Sequence, residues 1–146
     1  MKNKFQKSFT LIELLVVAAL ISLISSLVFV GVQNTRVRAR DAKREVELSQ
    51  IRKALEFYYN INEKYPTTTD WVSLEDETNT EAVRVRNALK PNYISEIPKD
   101  PLYPQGEYSY KYIATTTDSY LLCAKRERGL YYCFSSEVPG SFLLSY

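Results

Sequence analysis

Residues 9–62 read FTLIELLVVAALISLISSLVFVGVQNTRVRARDAKREVELSQIRKALEFYYNIN, and the reading of this stretch decides the fold. It holds no proline, and its character changes once along its length. Leu14 to Val32 is 19 residues without a charge. As a helix rising ~1.5 Å per residue, this run spans roughly 29 Å, about the hydrocarbon thickness of a bilayer. Helix formers continue beyond Val32. Apolar side chains then recur at Leu48, Ile51, Leu55 and Tyr58/Tyr59, three and four apart on a polar background. The simplest reading is one helix from about Phe9 to Asn62, on the order of 80 Å long. Its first half is apolar all round. Its second half is amphipathic and must lay its stripe on something.

One residue does not suit a plain membrane anchor. Glu13 stands inside the apolar run, near its start. A charge at mid-membrane costs about 2.5–3.5 kcal/mol on insertion scales, and less near an end. A carboxylate there marks a function and calls for a partner. A secretory signal peptide does not fit, because the run is too long and no small-x-small cleavage site follows it. Basic residues flank both ends, Lys2, Lys4 and Lys7 before and Arg36, Arg38, Arg40, Lys43 and Arg44 after. Loop charge therefore leaves the orientation open. The second group reads either as an interfacial collar reaching lipid head groups or as a solvated basic stretch.

Past the helix the chain turns over its pattern. Tyr65-Pro66-Thr67-Thr68-Thr69-Asp70 breaks the helix. Glu81–Leu89 predicts a short helix, with Thr80 or Asn79 as N-cap and Pro91 as its end. A proline-rich loop, residues 97–104, follows. The period then becomes two, and 108–113, 120–125 and 130–134 read as strands, with Arg126–Gly129 as the turn between the last pair. The fold class expected is α+β, a long N-terminal helix packed on a small antiparallel β-sheet.

Composition narrows the chemistry. The chain has 146 residues and a net charge of +2. Without Lys2, Lys4 and Lys7 the balance is 16 basic against 17 acidic residues, so nothing in the bulk calls for nucleic acid. Lys125-Arg126-Arg128 is a local basic cluster at a hairpin tip; it either meets DNA phosphates or is solvated. There is no histidine and there are only four glycines, which leaves no histidine triad, no histidine metal site and no phosphate-cradling loop. No cofactor, metal site or enzymatic constellation is called for.

Cys123 and Cys133 are the only cysteines. If the turn centres on Arg128, residues whose numbers sum to 256 face each other, and these two do. Their Cβ atoms would then lie ~4.5–5.5 Å apart, within reach of a disulfide. The alternative is two buried free thiols. A disulfide needs an oxidising compartment.

Lys7-Ser8-Phe9-Thr10-Leu11-Ile12-Glu13-Leu14, followed by the apolar run, resembles the processing and methylation segment of type IV pilins and type II secretion pseudopilins. The helix end Ala54–Tyr59 with Tyr65–Thr68 resembles those proteins as well. So does Ile97-Pro98-Lys99-Asp100-Pro101 with Tyr108, Tyr110 and Tyr112. The resemblance is strong over 1–35, moderate over 50–70 and 94–113, and absent after that.

The resemblance implies a pilin fold in three parts. Residues 1–8 are a leader, 9–35 a transmembrane and filament-core helix, and 36–146 an extracytoplasmic globular domain. It implies cleavage between Ser8 and Phe9 by a prepilin peptidase, methylation of the Phe9 amine, and a role for Glu13 in assembly and register. The implied partners are other copies of the chain in a helical filament, the prepilin peptidase/methyltransferase, an inner-membrane platform protein with its assembly ATPase, and membrane lipid before assembly. The protein would pass from the cytoplasmic membrane to an extracellular pilus or a periplasmic pseudopilus. Three features depart from the family. Ser8 replaces the usual glycine before the cut, the apolar helix lacks a mid-span proline, and no Asp/Gly-rich calcium loop is visible where the cysteine pair stands. The last departure favours a pilus subunit over a secretion pseudopilin, which remains the alternative beside a minor pilin acting as adhesin or DNA-binding module.

Overall fold

A computed structural model describes residues 9–137 and 140–144, without the side chains of residues 27–31. The expected leader, with Ser8, lies outside the described residues. The chain divides into two compact units, one ending at Arg38 and the other running from Ala39. Helix α1, Leu11–Asn62, is 52 residues long and contributes to both.

In the first unit the helix shows its apolar side chains to solvent on every side, among them Leu11, Ile12, Leu14, Leu15, Leu20, Ile21, Leu23 and Ile24. The hydroxyls of Ser22 and Ser26 donate to the helix's own carbonyls at Ala18 and Leu23, each at 2.8 Å. They are thus satisfied internally and leave the surface apolar. Among the described residues no helix is long and apolar enough to cross a membrane. The described side chains of the run stop at Ser26, short of the uncharged stretch that continues to Val32.

In the second unit the predicted stripe meets its partner. Leu48, Ile51, Ala54 and Leu55 are buried in one cluster with Tyr110, Tyr112, Leu122 and Phe134 of the sheet. The strands are β1 (Val72–Ser73), β2 (Tyr110–Ile113), β3 (Leu121–Lys125), β4 (Tyr131–Ser135) and β5 (Ser141–Leu144). They form one sheet in the order β1-β2-β3-β4-β5, every neighbouring pair antiparallel. Alternation assigns the faces. Tyr110, Tyr112, Leu122, Ala124 and Phe134 point into the helix-side core. Cys123, Tyr131 and Cys133 point the other way and are covered by Trp71, Phe142 and Leu144.

The sequence had suggested three strands; β1 and β5 extend the sheet at its two edges. Helix α1 ends before Pro66. Glu63 takes a positive φ of 53° and its N–H donates to the carbonyl of Tyr59 at 2.8 Å, which closes the last turn. Helix α2, Thr80–Leu89, is capped by Asn79, whose side chain accepts from the Ala82 N–H at 3.0 Å. It buries Ala82, Val85 and Leu89.

Candidate functional site

The helix start gives Glu13 a partner within its own chain. The Thr10 N–H donates to Glu13 Oε2 at 2.9 Å, and the Thr10 hydroxyl donates to the same oxygen at 2.7 Å. In return the Glu13 N–H donates to Thr10 Oγ1 at 3.3 Å. This is a capping box, in which side chains at the N-cap and three residues later satisfy each other's free backbone donors. The signal was present as Thr-x-x-Glu ahead of an apolar run, and reading Glu13 only as a misplaced charge passes over it. One carboxylate oxygen does the capping. Oε1 has no partner among the described residues and stays open to a donor from outside the chain. Phe9, just ahead of the cap, is exposed.

The second unit contains a cluster of charges whose burial the sequence did not disclose. Arg44 is 1% exposed. Its guanidinium forks onto Asp100, Nε to Oδ2 at 2.6 Å and Nη2 to Oδ1 at 2.9 Å, while Nη1 donates to Asp41 at 2.7 Å. Arg40 makes the same fork onto Glu127, at 2.5 and 2.7 Å. Tyr108 lies under Arg44, its ring centre 4.9 Å from the guanidinium carbon. Burial works to lower the Arg44 pKa, but the bonds and charge of Asp100, joined by Asp41 and Glu127, keep it above the ordinary arginine range. The Arg40 hydrogen bond holds the Glu127 carboxyl below its usual range.

Beside this cluster lies Glu75, 2% exposed. It accepts from the N–H groups of Tyr110 and Asp100 and from the Ser73 hydroxyl. Burial raises its pKa, against the pull of those backbone donors. The two arrangements fasten α1, the end of β1, the loop before β2 and the β3–β4 turn to one another. They are structural locks, since each carboxylate is already answered by guanidinium or backbone donors.

Two expectations need correction. Arg44 is no part of a lipid-facing collar, because its charge is consumed inside the fold. The basic hairpin tip is largely tied down as well. Lys125 pairs with Glu107, and Arg126 lies 3.6 Å from Glu45 and 3.9 Å from Asp41. Among the described residues, only Arg128 of the three is exposed without a partner, a thin basis for phosphate binding. Among the described residues no group of His, Cys, Asp and Glu could hold a metal ion.

Cys123 and Cys133 face each other in the β3–β4 ladder and form a disulfide, Cα atoms 4.2 Å apart. Every pair of that ladder, from Leu121↔Ser135 to Lys125↔Tyr131, keeps the expected register. Phe9 and Glu13 belong to the first unit, at the start of α1, and the cysteines to the second, on the sheet face opposite the one that packs on Leu48, Ile51 and Leu55.

Comparison with known proteins gives two matches to family models. Residues 3–29 match the prokaryotic N-terminal methylation motif, and residues 31–128 match type II secretion system, protein G. Similar curated proteins carry the name type II secretion system core protein G. That of Aeromonas hydrophila is 29% identical over 101 residues, covering 69% of this chain and 71% of the relative. That of Escherichia coli K12 is 31% identical over 96 residues, 66% of each chain. That of Vibrio cholerae is 28% identical over 130 residues, 88% of this chain and 87% of the relative. No solved structure matches. The likeness thus reaches beyond residue 113, through β2 and β3 to the hairpin turn. It also favours the secretion pseudopilin over the pilus subunit that the missing calcium loop had suggested.

Proposed function

The chain belongs to the type II secretion system protein G family, and on that premise we propose that it is the filament-forming subunit of a pseudopilus. Residues 1–8 are removed by a prepilin peptidase between Ser8 and Phe9, and the Phe9 amine is methylated. The helix over 9–35 first spans the cytoplasmic membrane and then becomes filament core. Residues 36–146 stand outside the cytoplasm, where an oxidising environment suits the Cys123–Cys133 bridge. The role is structural rather than catalytic.

The observation that carries this reading is the start of α1, an exposed apolar cylinder whose one acidic residue keeps a carboxylate oxygen open. A subunit leaving the bilayer has to bury that cylinder among neighbours. Each buried side chain contributes about 1.5–3 kcal/mol relative to water. Relative to lipid the gain is far smaller, so extraction calls for a platform protein and an ATPase supplied by other chains. The amine created at Phe9 and the Glu13 carboxylate of an adjacent subunit are each costly to bury singly, and pairing offsets part of that cost and sets the axial register.

Intact-mass measurement of the membrane form tests the processing. The expected species begins at methylated Phe9. A mature chain beginning at Met1 or Asn3 would overturn the proposal.

A further inference from the structure

The disulfide face of the sheet carries a cluster without a helix residue, Cys123, Tyr131 and Cys133 with Trp71, Phe142 and Leu144 packed on it. On this face lies a cleft of about 460 Å³. Small-ligand sites run from roughly 300 to 1,000 Å³. Trp71 and Tyr131 line the cleft and buried Cys123 backs it, with Lys111, Lys125 and Glu107 as its charged groups. The register brings the lysines here. Lys111 lies directly opposite Cys123, and Lys125 follows Cys123 by two residues and lies opposite Tyr131, so all four share a face.

The charges of the cleft do not balance. Lys125 pairs with Glu107, and the Tyr131 hydroxyl donates to the same carboxylate at 3.4 Å. Among the described residues, Lys111 makes no hydrogen bond or ion pair; its ammonium nitrogen lies 5.7 Å from the centre of the Tyr131 ring. Two ammonium groups against one carboxylate leave the lining at +1. A solvated lysine on an open sheet face needs no ligand. Lys111 is instead half-buried, set over an aromatic ring, and shares its cleft with the only tryptophan of the chain.

We infer that the cleft binds a sugar ring bearing one carboxylate, a uronic acid residue of an acidic glycan. A charge of +1 answers a monoanion rather than a phosphate dianion, and Lys111 supplies the donor that lacks an acceptor. Trp71 and Tyr131 present flat amphipathic surfaces, and a pyranose presents a face of C–H groups to match them. Glu107 and Lys125, an acceptor beside a donor, suit neighbouring hydroxyls. An apolar carboxylate would strip water from that pair and give no hydrogen bond in return. Gly129 at the lining has a φ of 90°, and a Cβ there would meet nothing within 4 Å, so this side is open for a glycan chain to continue outward. All of these residues belong to the second unit, and the site does not rest on the filament reading.

The test uses the full-length chain in detergent solution, with Trp71 emission as the reporter, since no other tryptophan contributes. A galacturonic acid oligomer should give a saturable change in that emission. Its methyl ester, which keeps the rings and removes the charge, should bind at least about tenfold more weakly, and so should benzoate, which keeps the charge and lacks the hydroxyls. Lys111→Met should lose about the same factor while melting at the parent's temperature, and Lys111→Arg should restore binding. The ester comparison uses the parent chain and holds whatever Lys111→Met does to folding. No saturable change in the parent, ester or benzoate bound as tightly as the acid oligomer, or a well-folded Lys111→Met that binds like the parent would overturn the site. A response that appears only after residues 145–146 are removed would also overturn it, by assigning the cleft to those residues.

Discussion

Glu13 caps α1 through one carboxylate oxygen, and substitution can separate that cap from the filament pairing proposed for the other. Thr10→Val removes the hydroxyl half of the capping box, costing about 0.5–2 kcal/mol of helix-end stability, but leaves the carboxylate. Glu13→Gln keeps an amide oxygen for the cap and removes the charge. If assembly depends on charge, Thr10→Val yields filaments in electron micrographs and Glu13→Gln does not; the reverse pattern would reduce Glu13 to a cap. Glu127 offers a second test at this scale, through pH. Its folded-state pKa is depressed by Arg40, so its contribution to stability is present above the ordinary value of 4.5 and is lost as pH falls through the folded value. Glu75 runs the other way. Its raised pKa means that a cost present above the folded value is relieved as pH falls toward 4.5. Glu127→Gln should therefore flatten the fall of melting temperature below pH 4.5 and lower stability near neutrality, as read from melting curves across that range. An unchanged acid limb would show that the Arg40–Glu127 fork contributes nothing measurable.

Among the elements, those defined by local repetition were legible in the sequence. The amphipathic half of α1 follows from Leu48, Ile51 and Leu55, and the β3–β4 register follows from the turn at Arg126–Gly129, which sets Cys123 against Cys133. β1 was not legible because two residues hold no period, and β5 because Ser-Phe-Leu-Leu does not alternate. The Arg44–Asp100 pair joins residues 56 apart. No local pattern signals such a pair, so Arg44 reads in sequence like its solvated neighbours. The disulfide makes the hairpin a testable element. Closing a loop of about 11 residues contributes roughly 2–3 kcal/mol in the chain-entropy view. The double variant Cys123→Ser/Cys133→Ser should lose about that much in urea unfolding while keeping its strand content by circular dichroism. No loss of stability would mean that Trp71, Tyr131 and Phe142 hold this face without the bridge.

For the whole molecule, the bridge and the membrane orientation constrain each other. Basic residues flank the apolar run on both sides, so charge counting does not choose which end stays inside. The proposed orientation rests instead on the disulfide, because a bridge between Cys123 and Cys133 persists where thiols are not kept reduced. Everything after Arg36 should then stand outside the cytoplasm, and Lys2, Lys4 and Lys7 should remain inside until the leader is cut. A cysteine introduced at exposed Asn87, where α2 leaves its side chain to solvent, should react in cells with a permeabilised outer envelope but an intact inner membrane when a membrane-impermeant maleimide is added. One introduced at Asn3 should be protected until the inner membrane is opened. The native pair is oxidised and stays silent in both cases, so the labelled mass reports the new cysteine. Labelling at position 3 with protection at position 87 would invert the chain in the membrane, leave the bridge facing a reducing compartment, and remove the pseudopilus reading together with the orientation it requires.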